Sequence, residues 1–284
     1  MQSRFADPSP ITFRHVVAHL AGLPRDAAVD FVYEHNTVIH PSAEEILASL
    51  KETALIAAPM TKKQYSNLGF ALLGLVLEHI AEQSYTHYVT EHILHPLGMA
   101  SSGFAPMEAW PPSLQAHVAT PYKPQREDEM APEVAPVTVS RGKNPAGGLY
   151  SSVEDMARFL SLQFLDGPAG GKHILKGSTL REMRAPVFVE PGWNAATAIS
   201  WSVERMREHT IMGHNGGLSG FSADVLIVPT LKLGLALFVN TTAAVSELNR
   251  AVLERALPTF NRPLQRQQRV QKKPASSLPP QSLE

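Results

Sequence analysis

The stretch Tyr65-Ser66-Asn67-Leu68-Gly69-Phe70-Ala71-Leu72-Leu73-Gly74, continuing as Leu75-Val76-Leu77-Glu78-His79-Ile80-Ala81-Glu82, is apolar around almost its whole circumference. A helix of that character is buried on most sides, and Gly69 and Gly74 let a second element come close to its backbone. Ser66 stands where the helix needs an N-cap oxygen for its first unpaired amides. Tyr65 and Asn67 therefore flank a rigid junction at the mouth of a central helix.

On the N-terminal side, Thr12 caps a short helix through Arg14, Val16 and Val17 to about Leu20, closed by Gly22 and Pro24. Ser42 and Glu45 have capping-box spacing, and Ile46, Leu47 and Leu50 then recur on one helical face. On the C-terminal side a helix around Thr86 to Leu94 stops at His95-Pro96-Leu97-Gly98. Between Gly103 and Asn144 prolines and mixed charges replace periodicity, which predicts a long excursion over the surface. Pro145-Ala146-Gly147-Gly148 returns the chain to the core, and Ser151 with Glu154 predicts a second capping box for a helix through Met156, Phe159 and Leu160.

Strands follow. Ala198–Val203, Thr210–Gly213, Ala223–Val228 and Leu233–Val239 are short β-branched, aromatic or aliphatic runs, the last two joined as a hairpin by Pro229-Thr230-Leu231-Lys232. A helix from about Ala244 to Leu257 packs on them. The expected fold class is α+β: an antiparallel β-sheet flanked by helices, with a mostly helical lobe. Residues 1–261 read as one domain. Residues 262–284, rich in Gln, Pro and Ser, read as a disordered tail or linker that cannot bury enough apolar surface to order itself.

Composition excludes several function classes. A chain of 284 residues with 44% hydrophobic and 18% charged residues builds a substantial core. A net charge of −1 gives no field to draw in nucleic acid or an anionic membrane. The tail's Arg262, Arg266, Arg269, Lys272 and Lys273 have no aromatic residues among them to stack bases. With no cysteine there are no disulfides, thiolate nucleophiles or iron–sulfur ligands. Met1–Pro10 lacks the basic and apolar regions of a signal peptide, and Leu68–Ile80 is shorter than the roughly 20 residues that span a bilayer. His87, His92 and His95 lack H-E-x-x-H spacing, so no metal and no other cofactor is expected, and no G-x-S-x-G elbow or phosphate-binding glycine loop occurs. Asp155 reads as a helix-start charge, and Glu127, Asp128 and Glu129 as a solvated face.

Two motifs remain: Tyr65-Ser66-Asn67, and His214-Asn215-Gly216-Gly217, which falls between strands. Singly, each has a structural explanation, Ser66 as an N-cap and His214 as a turn residue beside flexible glycines. In order, with Ile11-Thr12-Phe13-Arg14-His15, His19-Leu20-Ala21-Gly22-Leu23-Pro24, Pro96-Leu97-Gly98-Met99, Pro145-Ala146-Gly147-Gly148-Leu149 and Ser219-Gly220-Phe221, the chain resembles the serine β-lactamase/penicillin-binding-protein family, including its peptidase and esterase branches. The family's second motif, S-D-N or Y-x-N, and its third, K-T-G or H-x-G, both have counterparts here. The resemblance implies that Tyr65 is the general acid/base, and that Asn67 bonds the substrate amide and orients a lysine. It implies that His214, Asn215 and Gly216 line the substrate-docking strand and that Gly217 N–H forms half an oxyanion hole. A tyrosine with its ordinary pKa near 10 needs a nearby cation for that role.

The departure is the first motif. The family's S-x-x-K lies upstream of the Ile11 segment, so the resemblance implies that this helix start and the outer strands of the sheet are missing here. The one S-x-x-K match, Ser140-Arg141-Gly142-Lys143, falls after the second motif in a glycine-containing loop with no apolar helix behind it. Two functions follow. One is a serine hydrolase forming an acyl-enzyme on a β-lactam, a D-alanyl peptide or a small ester, complemented by the missing N-terminal segment. The other is a non-catalytic fragment or pseudoenzyme that keeps the cleft as a binding module for a small molecule or peptide. The family suggests a periplasmic or secreted location, for which this chain carries no signal peptide.

Overall fold

The computed structural model describes residue 5 and residues 10–105, 110–125, 131–164, 174–192 and 194–260, with the backbone continuing through 261–271. Helix α1 (Phe13–Val17) is capped by Thr12, whose hydroxyl accepts from His15 N. It ends earlier than its pattern predicts because His19 adopts a left-handed backbone, φ 58°. A hairpin not foreseen in the sequence follows, β1 (Val32–Glu34) and β2 (Thr37–Ile39), turning at His35 and Asn36 with φ 42° and 61°. An Asn in a two-residue turn between β-branched residues was its signal. The Ser42–Glu45 capping box opens α2 (Ala43–Ser49).

Helix α3 (Asn67–Ala81) is the buried helix, and the Ser66 hydroxyl accepts from Gly69 N at 2.9 Å as its cap. Its glycines are close contacts: a Cβ on Gly69 would lie 2.8 Å from Val16, and one on Gly74 2.0 Å from Pro145. Helix α4 (Tyr85–Val89) passes through a π-turn into α5 (His95–Leu97), and Gly98 at φ 70° ends it. The excursion from Gly103 to Asn144 carries short elements: β3 (Gly103–Phe104), α6 (Pro112–Gln115) and β4 (Val137–Val139), the last parallel to β2. Glu127, Asp128 and Glu129 lie outside the described residues.

Pro145 opens α7 (Asn144–Gly147) and packs on Gly74, which is how Pro-Ala-Gly-Gly re-enters the core. After β5 (Leu149–Tyr150), paired with β3, comes α8 (Val153–Leu162). Its cap is Ser152, bonded to Asp155 N at 3.2 Å, and not Ser151, because the Ser151 hydroxyl is engaged with Ser102 at 2.8 Å. Asp155 is more than a helix-start charge: it is 5% exposed and accepts from Ser101 N at 2.7 Å and the Ser102 hydroxyl at 2.8 Å, tying α8 to the turn after α5.

Helix α9 (Gly177–Arg184) leads into the main sheet: β6 (Phe188–Val189), β7 (Ala195–Thr197), β8 (Ser202–Met206), β9 (His209–Leu218), β10 (Phe221–Val228) and β11 (Leu233–Val239). All neighbours are antiparallel, in the order β11-β10-β9-β8-β7-β6. Two expected strand limits are corrected. Ala198–Trp201 is a turn between β7 and β8, with Ser200 at φ 60°, and its apolar residues reflect burial under α8 with Leu160. His214–Gly217 lies inside β9 and not between strands. One sheet face packs on Leu160 and Met156 of α8. The other packs on α10 (Val245–Gln271), where Leu253 and Leu257 are fully buried, each contributing about 2 kcal/mol. Helix α10 runs past the expected Leu257 because Leu, Gln and Arg in 264–269 favour helix. Residues 272–284 lie outside the described residues, and no helix of the described residues is long and apolar enough to cross a membrane.

Among the described residues strand β11 pairs only with β10, and all seven of its residues, Leu-Gly-Leu-Ala-Leu-Phe-Val, are partly exposed. It carries none of the charges, prolines or bulges that block edge-to-edge association. Concentration-dependent self-association is therefore expected in analytical ultracentrifugation. Hydrogen-bonded pairs alternate along an antiparallel ladder, and by that alternation the N–H of Ala236 points to the open edge. Ala236→Pro should abolish the association without removing a sheet hydrogen bond. Identical sedimentation of both proteins at all concentrations would refute it.

Candidate active site

The geometry of β9 follows from its two hairpins. Met206 pairs with His209 around Arg207-Glu208, and Leu218 with Phe221 around Ser219-Gly220. A two-residue hairpin closes on a hydrogen-bonded pair, and such pairs alternate along the strand. His209, Ile211 and Gly213 thus bond to β8, while Met212, His214, Gly216 and Leu218 bond to β10. Strand β8 ends opposite Gly213, at Ser202. Beyond it the backbone N–H and C=O groups of Asn215 and Gly217 point to an edge that no strand of the described residues covers.

Side chains alternate too. Gly213 opposes Leu226, and Asn215 opposes Asp224, residues that face α10. His214 and Gly216 occupy the other face, where a Cβ on Gly216 would meet nothing within 4 Å. By this register Asn215 offers the open edge its backbone, while its side chain lies on the α10 face with Asp224, away from His214.

Tyr65 approaches that open face from the mouth of α3, its ring 6.3 Å from the His214 ring. His19, placed by its left-handed backbone, stacks on Tyr65 at 4.4 Å and on Phe70 at 5.2 Å, and its Nδ1 accepts from Ser66 N at 3.1 Å. Arg25 lies over the phenol ring, its guanidinium carbon 5.0 Å from the ring centroid. Asn67 donates through Nδ2 to Asp26 at 3.1 Å, and Lys143 donates to the same carboxylate oxygen at 2.8 Å. Sequence reasoning missed His19, Arg25 and Asp26 as neighbours of the pair. They stand some 40 positions upstream of it, and only their adjacency to the Ala21-Gly22-Leu23-Pro24 run pointed to them.

The excursion supplies a wall. A Cβ on Gly220, at the tip of the β9–β10 hairpin, would collide with Pro121 and Ala135, and Tyr122 N bonds to Asn240 O at 3.0 Å. Trp110, Tyr150 and Phe221 form a chain of edge-on rings at 5.8 and 6.2 Å that anchors the same segment beside the hairpin.

The electrostatics are those of a partly dry cleft. Burial raises the Tyr65 pKa, Arg25 opposes that and Asp26 adds to it. Burial, with the charges of His214 and Lys63, lowers His19 to about 4. Burial also lowers His214 and Lys63 adds to this, against a hydrogen bond with the Asn215 backbone and the Asp224 charge. Both imidazoles are therefore neutral at pH 7. Partial burial alone would raise the Asp26 pKa, but hydrogen bonds from Lys143 and Asn67 hold it below the usual carboxylate range.

Ser66 and Ser140 sit in structural settings. Ser66 is 3% exposed, donates to Pro24 O at 2.6 Å and caps α3, which is the structural role. Ser140 is 4% exposed and precedes a short 3₁₀ turn, Arg141–Lys143, and the Lys143 ammonium is committed to Asp26. His92 stacks on Tyr88 and His95 pairs with Glu91 at 3.2 Å. Among the described residues no group of three or more His, Asp or Glu could hold a metal ion.

Comparison with known proteins agrees with this fold. The beta-lactamase family model matches residues 3–257. The human beta-lactamase-like 1 protein is 30% identical over 237 residues, 82% of this chain but 44% of the human protein, so the chain spans less than half of that relative. A penicillin-binding protein homologue from Pyrococcus abyssi superposes with TM-score 0.70 at 22% identity, covering 89% of this chain and 57% of that one. A beta-lactamase/D-alanine carboxypeptidase from Yersinia pestis, complexed with citrate, gives 0.68 at 24% identity, covering 89% and 72%. An α+β fold with Tyr-x-Asn at the mouth of a buried helix, a His-x-Gly strand edge facing it and a family match over nine-tenths of the sequence lead to one assignment: the chain belongs to the beta-lactamase family of serine hydrolases.

Proposed function

We propose that the cleft is the substrate-binding half of a serine hydrolase that forms an acyl-enzyme on a β-lactam, a D-alanyl peptide or a small ester. In this reading the attacking serine comes from a Ser-x-x-Lys segment outside these 284 residues. The observation that carries it is the open edge of β9 beside Tyr65. Two backbone residues, Asn215 and Gly217, direct their N–H and C=O groups to that edge, where an extended acyl chain can add as a strand. A preorganised N–H such as that of Gly217 can also stabilise a developing oxyanion. The 284 residues by themselves bind without cleaving, because the Ser66 and Ser140 hydroxyls are buried, Ser66 is engaged by Pro24 and the α3 cap, and the Lys143 ammonium is committed to Asp26.

The test is equilibrium binding of a fluorescent penicillin, with intact mass measured after penicillin and after a fluorophosphonate. Binding without an adduct is expected, weakened about tenfold or more in Gly216→Val, whose side chain fills the open space on the His214 face. Addition of a Ser-x-x-Lys segment from a relative should yield an adduct on that segment's serine. An adduct on Ser66, Ser140 or any other serine of this chain overturns the assignment, and so does binding that Gly216→Val leaves unchanged.

A further inference from the structure

The turn Pro24-Arg25-Asp26 touches every residue from 65 to 68. The Pro24 carbonyl accepts from the Ser66 hydroxyl at 2.6 Å. The Arg25 carbonyl accepts from Asn67 N at 2.7 Å and Leu68 N at 3.1 Å, satisfying amides at the helix start that have no intrahelical partner. The Arg25 guanidinium lies 5.0 Å from the Tyr65 ring centroid, a cation–π distance. Asp26 takes the Asn67 amide and the Lys143 ammonium on one oxygen.

We propose that Arg25 and Asp26 are positioning residues for the Tyr65/Asn67 pair: Arg25 holds the phenol by lying over its ring, and Asp26 fixes the Asn67 amide. The inference rests on reading Tyr65 and Asn67 as the working pair of the cleft, and it adds the residues that set their geometry and charge. An ionised carboxylate only accepts hydrogen bonds, so the amide nitrogen of Asn67 has to face Asp26 and its carbonyl oxygen turns to the other side. The cation that an acid/base tyrosine requires is then an arginine two positions past the Ala-Gly-Leu run, permanently charged, largely exposed and 3.7 Å from the second oxygen of Asp26.

The other charged or titratable groups around the phenol are few. His19 faces it from the end of α1 and His214 from β9, and both are neutral where a phenol titrates. Lys63 acts on both histidines, and Lys143 lies behind Asp26. Arg25 and Asp26 are the pair with direct and opposite action on Tyr65.

The test is NMR titration of the ¹³C-labelled tyrosine ring carbons, with thermal unfolding in parallel, for the unmodified chain, Arg25→Gln and Asp26→Asn. Arg25→Gln should move the Tyr65 midpoint to higher pH and Asp26→Asn to lower pH, with Arg25→Lys restoring it. Loss of structure alone would carry both variants the same way, toward an ordinary tyrosine. Shifts of the same sign, or none, overturn the proposal. If alkali unfolds the chain first, the contrast is read at neutral pH in the Asn67 side-chain amide. Its hydrogen exchange should be slow in the unmodified chain and in Arg25→Gln, and fast in Asp26→Ala, while equal rates in all three overturn the proposal. Neither readout needs turnover, so a chain that fails to bind penicillin yet shows the opposite shifts defeats the hydrolase reading and leaves this one standing.

Discussion

Replacement of Gly22 by alanine should destabilise the chain by about 3–5 kcal/mol, a large part of the roughly 5–15 kcal/mol that holds a domain folded. Two costs combine. The residue sits at φ 71°, a left-handed conformation that is expensive for any residue with a Cβ, and the added carbon would lie 1.9 Å from the Ala57 carbonyl oxygen. That obstacle is backbone and cannot rotate away. Residues 19–22 are bonded along the 56–64 segment, Ile56 N to Gly22 O at 2.9 Å, Met60 N to Leu20 O at 2.8 Å and Gln64 N to His19 O at 2.7 Å. A shift at Gly22 therefore travels to the segment that ends in Tyr65, and penicillin binding should fall along with stability. Gly147→Ala is the control, since a Cβ there meets nothing within 4 Å and the residue is helical. Its effect should be within about 1 kcal/mol, in the stabilising direction. Urea unfolding followed by circular dichroism measures both, and equal midpoints for the two variants would refute the argument.

Mild acid should cost about 2–3 kcal/mol between pH 6.5 and 4 through His19. Its folded pKa is lowered from 6.5 to about 4, first by burial and then by His214 and Lys63, so in that window the unfolded chain binds a proton that the folded chain does not. Stability is then fully present above the unfolded value and is lost as pH falls toward the folded one. The structural event is specific: a proton on Nδ1 removes the acceptor for Ser66 N, at 3.1 Å, next to the cap of α3. His214 is lowered as well and contributes with the same sign. His19→Asn keeps an acceptor near the Nδ1 position, and asparagine tolerates the φ of 58° better than most residues. It should flatten most of the pH dependence of the unfolding free energy, while the lost ring contacts with Tyr65 and Phe70 lower stability at pH 7.5 by about 1–2 kcal/mol. An undiminished acid slope in His19→Asn would show that other groups carry it.

The helical lobe was legible because its signals are local. Thr12, Ser42 and Ser66 cap the helices whose starts they mark, and Gly98 ends the one it closes. Ser152 displaced Ser151 as the α8 cap for a reason no local pattern holds, the engagement of Ser151 with Ser102, some 49 positions away. The β1–β2 hairpin was short enough to pass as loop, and the glycines of β9 suggested a turn because glycine is depleted in ordinary strand interiors. In β9 those glycines stand where the neighbouring strand has stopped.

By itself the sequence determined the chain's α+β class, its buried central helix and the Tyr65-Ser66-Asn67 motif at that helix's start, since capping, periodicity and glycine placement act over a few residues. Only the tertiary structure decided that Tyr65 and His214, 149 positions apart, share a face, that Asn215 contributes backbone and not side chain, and that Arg25 and Asp26 set the surroundings of the phenol. Strand register and the packing of one loop against a distant helix start arise from contacts between segments far apart in the chain, and no local propensity encodes them.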